Sequence, residues 1–326
     1  MMKFNYALLL LTLLFAMCSC GNPVINDPIQ QANQVDRPDA QQNTLKSTED
    51  DVTVSQPEEV AISEPVIRFL LAYSSMTPVQ MEMLFSIYPN VLNDATMNDT
   101  FNAAHDCFFT FWEEQGLTLS QAYLDEIESL VIWDTGDYSA VELAWRGDEN
   151  GMCSLLLPRE LAISSIDDFV HLNNLKVLSI DAQTVVDDIS CLKFFQSIET
   201  FAINSDALHE ISVLRDVSLK NLSLTSTNCI SLSPLECQYE LEGLIIQKIP
   251  ISAQLNAIGH IDTLSFLALI NNGYEDELAP LIETLPALKR LTICENSITD
   301  VEMITDILVA RDADWLLLDH GYVFIN

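Results

Sequence analysis

The sequence predicts an α/β solenoid: short parallel strands stacked into one sheet on a concave face, closed at the N-terminal end by a helical cap. Three observations carry this. An apolar triplet with the spacing large–x–x–large–x–large recurs with its middle residue at Leu130, Leu155, Leu178, Phe201, Leu222, Leu244, Leu267, Leu291 and Leu316. The steps between these residues are about 21 to 25 residues, the period of a stacked supersecondary unit. Ahead of the first triplet, residues 65–126 follow a helical period instead.

Residues 1–20 read as an export signal. Lys3 precedes an apolar run from Ala7 to Met17, too short for the roughly 20 residues that a spanning helix needs. The run ends in Met17-Cys18-Ser19-Cys20-Gly21, which resembles a bacterial lipobox: a large apolar residue, two small ones, then Cys. Met17 stands where the pattern has Leu, and Cys18 takes a small-residue place. The resemblance implies cleavage before Cys20 and lipid attachment to its sulfur, where two acyl chains make a stable anchor. The alternative is an ordinary cleaved signal and a released product.

Residues 21–64 read as a disordered acidic tether. Asn, Gln, Asp, Ser, Thr and Pro dominate, and Glu49-Asp50-Asp51 and Glu58-Glu59 make the stretch self-repelling. Its position fits a spacer that holds a folded head off a membrane.

Residues 65–126 read as the cap. Ser63 ahead of Glu64-Pro65 is the expected N-cap of a helix through Tyr73. Thr77-Pro78-Val79-Gln80 reads as a capping box for Met81 to Ile87. Asp99 opens a helix carrying Phe108, Phe109, Phe111 and Trp112, closed by Gly116. Thr118-Leu119-Ser120-Gln121 reads as a second capping box. The helical spacing of the aromatic cluster marks it as core rather than a ligand box.

Residues 127–326 read as the solenoid with a terminal strand, Gly321 to Ile325. Alternate strand residues point to opposite faces, so each triplet sends its large residues into one core that only stacked neighbours can bury. Asn272 and Asn296 follow their strands at the place where a side chain turns inward to satisfy loop backbone. Gln183, Asp206, Thr227 and Thr135 are polar substitutes there, and Ile249 and Gly321 interrupt the series. Return segments such as Ile163-Ser164-Ser165-Ile166-Asp167 and Ile298-Thr299-Asp300-Val301 complete the pattern. Over residues 117–326 the chain resembles the leucine-rich-repeat superfamily, and within it the short bacterial repeats of internalins. The resemblance implies a leucine-rich-repeat solenoid whose concave sheet recognises a partner.

The chain has 326 residues, 49% of them hydrophobic, so it can bury a sizeable core. Its 48 acidic against 14 basic residues give a net charge of −34, which argues against nucleic acid and anionic membrane surfaces as partners. No nucleophile elbow, phosphate loop or zinc-protease helix motif occurs, and the five His residues lack metal-ligand spacing. No catalytic residue, cofactor or metal is expected. Of eight Cys residues, Cys18 and Cys20 belong to the signal; the other six are spread over cap and repeats and read as free, mostly buried thiols. Cys229 and Cys237 are the one close pair a loop could join.

Outward strand positions define the candidate surface. Its C-terminal part gathers Ile245, Phe266, Ile270, Trp315 and Leu317 around Arg290, and aromatic side chains with Arg are hot-spot chemistry. Either this patch is exposed and binds a partner, or a flanking segment covers it. The expected function is an exported, surface-anchored, non-enzymatic binding protein for a protein partner or a glycan, touching the membrane only through its lipid. The alternatives are an envelope spacer without soluble ligand, or an enzyme with carboxylates assembled across repeats.

Overall fold

The computed structural model describes residues 60–63, 65–87, 98–134, 138–145, 152–158, 163–229, 231–249, 255–274, 278–318 and 321–324. All lie in one compact unit, 58–326. The export signal, Cys20, the tether up to residue 59 and Glu64, Thr135, Asp319 and Ile325 lie outside the described residues, as do the side chains of Gln183 and of the 152–158 segment.

Four helices form the cap: α1 (Pro65–Ser75), α2 (Pro78–Ile87), α3 (Asn98–Glu114) and α4 (Gln121–Leu124). The first capping box is formed as expected. Thr77 donates its backbone N–H to Gln80 Oε1 at 2.7 Å, and Thr77 Oγ1 accepts from the N–H of Gln80 at 3.3 Å. Gly116 closes α3 at φ +60°, a left-handed conformation that glycine adopts without steric cost. The other two caps differ from expectation. Ser120, not Thr118, caps α4 by accepting from Tyr123 N–H at 3.3 Å. Ser63 turns away from α1 and donates its N–H and hydroxyl to Asp168 Oδ2, at 2.8 and 3.0 Å. Residues 60–63 are thus packed on the head: Ile62 is buried, and Val60 N–H donates to Leu119 O. Phe69, Phe108, Phe111 and Trp112 are buried, with Phe69 and Phe108 edge to face at 4.9 Å, so the aromatic cluster is core.

The strands are β1 (Ile127–Asp134), β2 (Tyr138–Trp145), β3 (Met152–Pro158), β4 (Val177–Thr184), β5 (Thr200–Ser205), β6 (Asn221–Thr225), β7 (Gly243–Gln247), β8 (Phe266–Ile270), β9 (Arg290–Cys294), β10 (Trp315–Leu318) and β11 (Gly321–Phe324). They make one open sheet in the order β11-β10-β9-β8-β7-β6-β5-β4-β1-β2-β3. Eight strands, β1 and β4 to β10, are parallel, with Leu130, Leu178, Phe201, Leu222, Leu244, Leu267, Leu291 and Leu316 in one unbroken register. Each of these side chains is buried, and burying one contributes roughly 1.5–3 kcal/mol.

The triplet Met152/Leu155/Leu157 is a correction. It is not a parallel repeat but β3, antiparallel to β2 at the sheet edge, and β1 pairs directly with β4. A parallel return needs a crossover of about a dozen residues or more, whereas only residues 135–137 separate β1 from β2. The interval after Leu130 matches the repeat period because a second strand, not a return segment, fills it. At the other end β11 runs antiparallel to β10.

The return segments are 3-10 turns at Asp167–His171, Ser190–Phe194, Ser212–Arg215, Ser233–Cys237 and Leu255–His260, then α5 (Ala279–Glu283) and α6 (Val301–Ala310). A column of side chains two residues ahead caps four of the turns. Ser165, Asp188, Glu210 and Ser231 accept from the N–H of Asp167, Ser190, Ser212 and Ser233 at 2.7–3.2 Å. The Asn pair stacks as read from sequence. Asn272 accepts from Ile249 N–H at 2.9 Å and donates to Ile246 O at 2.9 Å, while Asn296 accepts from Asn272 N–H and donates to Leu269 O. In the β5 repeat the inward polar group is Ser205, which donates to Val186 O at 2.7 Å, and Asp206 is exposed.

Candidate functional site

The side chains between the inward leucines form the concave face in three rows. The register puts Phe266, Arg290 and Trp315 in one row on β8, β9 and β10. Ile245, Ala268, Thr292 and Leu317 share the middle row, and Gln247, Ile270 and Cys294 the third. All six residues singled out from sequence therefore lie on one face of four adjacent strands.

Their exposure divides them. Ile245, Phe266, Ile270 and Leu317 are only 4–7% exposed, although none belongs to the hydrophobic core on the sheet's other face. Arg290 and Trp315 are half-buried. The patch is thus a second buried apolar layer with one cation and one indole at its accessible surface.

Within the row, Phe266 takes Arg290 on one side, with the guanidinium carbon 5.5 Å from the ring centroid. It meets Trp315 at 6.0 Å between centroids, with the rings tilted by 55°. Neighbouring strands lie about 4.8 Å apart, so Phe266 and Trp315, two strands apart, lean toward each other across the strand of Arg290. Next along the row, Gly243 leaves the space that Asn221 uses: a Cβ there would meet Asn221 Oδ1 at 2.6 Å. Asn221 in turn donates to Thr200 Oγ1 at 3.2 Å. Thr292 is 1% exposed, and its hydroxyl has no hydrogen-bond partner.

The described part of this face carries little charge. Among the concave positions of β1 and β4 to β10 the one carboxylate is Asp181, on β4. Charges are instead gathered along the margin where the strands begin. Glu128, Lys176, Glu199, Lys220 and Glu242 alternate in sign over five consecutive parallel strands, joined by backbone hydrogen bonds of 2.8 Å. Lys176 pairs with Glu128, and Lys220 with Glu199, each at 2.9 Å. The Lys220 ammonium is held above its usual range by the hydrogen bond to Glu199 and that group's charge, with lesser help from Glu242 and Glu240. The apolar triplets do not mark this column, yet its signal is in the sequence: the residue two before Leu130, Leu178, Phe201, Leu222 and Leu244 alternates Glu and Lys.

The five described cysteines outside β3, at Cys107, Cys191, Cys229, Cys237 and Cys294, are free thiols. Burial first, then the charge of Asp167, a hydrogen bond to it and the charge of Asp188, pushes Cys191 up to about 12. Burial also raises Cys229. Neither thiol is set up as a nucleophile, since the thiolate is the reactive form. Among the described residues no group of three His, Cys, Asp or Glu could hold a metal ion, and no helix is long and apolar enough to cross a membrane.

Parallel strands in one register, a stacked Asn pair and short return turns define a leucine-rich-repeat solenoid. Neither a family model nor a curated protein matches the sequence. Two solved structures from Listeria monocytogenes are similar at low identity. An internalin (inlF) is 18% identical, with 62% of this chain and 50% of that one covered and a TM-score of 0.43. An internalin C2 (inlC2) is 20% identical, covering 64% and 89%, with a TM-score of 0.42. The matched region spans half the length of the first of these.

Proposed function

We propose that this chain is an exported, non-enzymatic binding protein, anchored by a lipid on Cys20, that holds a protein partner on its concave sheet. In this reading residues 1–20 direct export, 21–59 are the spacer, 60–126 seal the core and 127–326 present the face. A glycan is the other ligand class that such a face takes.

The observation that carries the reading is the row Phe266, Arg290, Trp315. A half-exposed indole and a guanidinium sit over a buried ring on a face almost free of carboxylates, in a chain of net charge −34. Surfaces of this composition supply the largest share of binding energy in protein interfaces. Arg290 and Trp315 are the contacts; Ile245, Phe266, Ile270 and Leu317 hold them in place.

Two measurements test it. Cys20→Ala removes lipid labelling and membrane association if the anchor reading is right; membrane association that survives the change overturns that part. For the face, the full chain and its Trp315→Ala variant are compared for retention of envelope and foreign surface proteins. Val309→Ala, on the exposed side of α6, serves as control. A protein retained by wild type and control but lost with Trp315→Ala supports the concave face. Equal retention by all three overturns it.

A further inference from the structure

We propose that the partner presents a carboxylate, from an Asp or Glu side chain of an extended peptide segment, to the guanidinium of Arg290. This rests on the reading of the concave face as the binding surface and names the chemistry that the face selects.

Three observations lead here. Among the described residues the Arg290 guanidinium makes no ion pair and no hydrogen bond; it lies 5.5 Å from the centroid of the Phe266 ring. Acids outnumber bases 48 to 14 in this chain, so an arginine without an acidic partner among the described residues stands out. Lys176 and Lys220 have Glu partners, and Lys289 donates to the carbonyls of Arg311 and Asp312. Second, the guanidinium carbon lies 5.5 Å from the ring centroid, and its N–H edge makes no hydrogen bond among the described residues. That edge is the fork that binds a carboxylate through two parallel hydrogen bonds. Third, Thr292 lies two residues along β9, its side chain on the same face. Its buried hydroxyl has no acceptor within the chain. Thr292 is 1% exposed, so its hydroxyl takes an outside acceptor only where the side chains around it give way. Arg290 offers donors only and the Thr292 hydroxyl can add one more, to a group that is an acceptor only.

The charge of the site selects a carboxylate over a phosphate. One arginine matches one negative charge, while phosphate recognition uses clusters of arginines. At physiological salt a charge beyond roughly 8 Å is largely screened, so the net charge of −34 does not keep a carboxylate from Arg290. Trp315 beside the fork favours a segment whose neighbouring side chain is apolar or aromatic.

The test uses the full chain and immobilised short peptides, acetylated and amidated at their ends. Each carries a central Asp between varied apolar residues and is matched by the same peptide with Asn. Wild type retains the Asp members at least about tenfold better than their Asn partners, and added salt weakens this preference. Arg290→Gln abolishes the preference. Thr292→Val lowers retention of the Asp peptides while the melting temperature stays level or rises, a split that a purely structural role does not give. Equal retention of Asp and Asn peptides by wild type, together with loss of both in Trp315→Ala, overturns the carboxylate and leaves the face. No retention by wild type, or retention untouched by Trp315→Ala, overturns the face and the carboxylate with it.

Discussion

The guanidinium of Arg290 and the ring of Phe266 meet at 5.5 Å across two neighbouring strands, in positions that the sheet register makes direct partners. Phe266 is buried and Arg290 half-buried, so the contact marks the boundary between the concave layer and its surface. The ring is support for the cation rather than a contact surface of its own.

Replacing Phe266 therefore reads as a loss of stability before it reads as a loss of binding. Phe266→Ala should cost about 3–5 kcal/mol, the range for a buried Phe, which includes a cavity beside Trp315. Phe266→Leu keeps most of the volume and loses the ring, whose cation–π contact is worth about 0.5–2 kcal/mol. Urea denaturation of both variants separates the two contributions. A loss below 1 kcal/mol for the alanine variant would show that the concave layer is not tightly packed.

Arg311 should matter more than its surface position implies. It donates through Nη1 to the carbonyls of Ile282 and Leu285, at 2.7 and 2.8 Å, and through Nη2 to that of Glu283 at 2.9 Å. These carbonyls lie at and just past the C-terminal end of α5, where Ile282 O and Leu285 O also accept the N–H groups of Leu285 and Leu288 at 3.2 Å and the helix dipole favours a cation. Arg311→Ala should cost about 2–4 kcal/mol, since hydrogen bonds to a charged group are each worth about 1.5–3 and the helix end regains some water. Arg311→Lys should recover less than half, because one ammonium cannot reproduce the fork. Thermal unfolding of the three proteins decides it; equal stability of the lysine variant and wild type would contradict the role given to the fork.

The Asn pair offers a cleaner hydrogen-bond experiment. Asn272 uses both ends of its amide inside the chain, accepting from Ile249 and donating to Ile246. Asn272→Ala strands a buried N–H and a buried C=O, at about 1–3 kcal/mol each. Asn272→Asp keeps the acceptor for Ile249 N–H but sets an anion against Ile246 O, so it should be no better than alanine near neutral pH. Denaturant midpoints of the two variants test the order.

What could be read from the sequence follows from what alternation encodes. The inward residues of all eight parallel strands were legible because large side chains at strand spacing leave no other face for them. The capping box at Thr77 and Gln80 and the Asn272/Asn296 pair were legible because each is a local pattern tied to one backbone geometry. The β1–β2–β3 hairpins were not, since Leu155 falls on the repeat period by the length of an intervening strand. Arg311 and buried Gln238, which donates to Val217 O at 2.8 Å, were invisible because their partners lie more than 20 positions away, set by stacking rather than by local sequence. An outward strand position tells which face Phe266 is on; it does not tell whether that face is open to water, and here the ring is buried.

Cys191 gives the pH dependence. Its thiol is pushed up to about 12 from an ordinary value of 9.0, chiefly by burial and then by Asp167 and Asp188. The folded chain thus keeps the proton where the unfolded chain releases it. Stability from this group is complete below the unfolded value of 9.0 and is lost as pH climbs from there toward about 12, because the unfolded state binds fewer protons in that window. Urea midpoints of wild type at pH 8 and pH 10 should therefore fall more steeply than those of Cys191→Ala, which lacks the titration. At pH 8 the native thiol should also resist iodoacetamide while the urea-unfolded chain reacts at once. Parallel pH slopes for the two proteins, or rapid native alkylation at Cys191 followed by peptide mass spectrometry, would show that the thiol is neither as buried nor as strongly set against ionisation by the two aspartates.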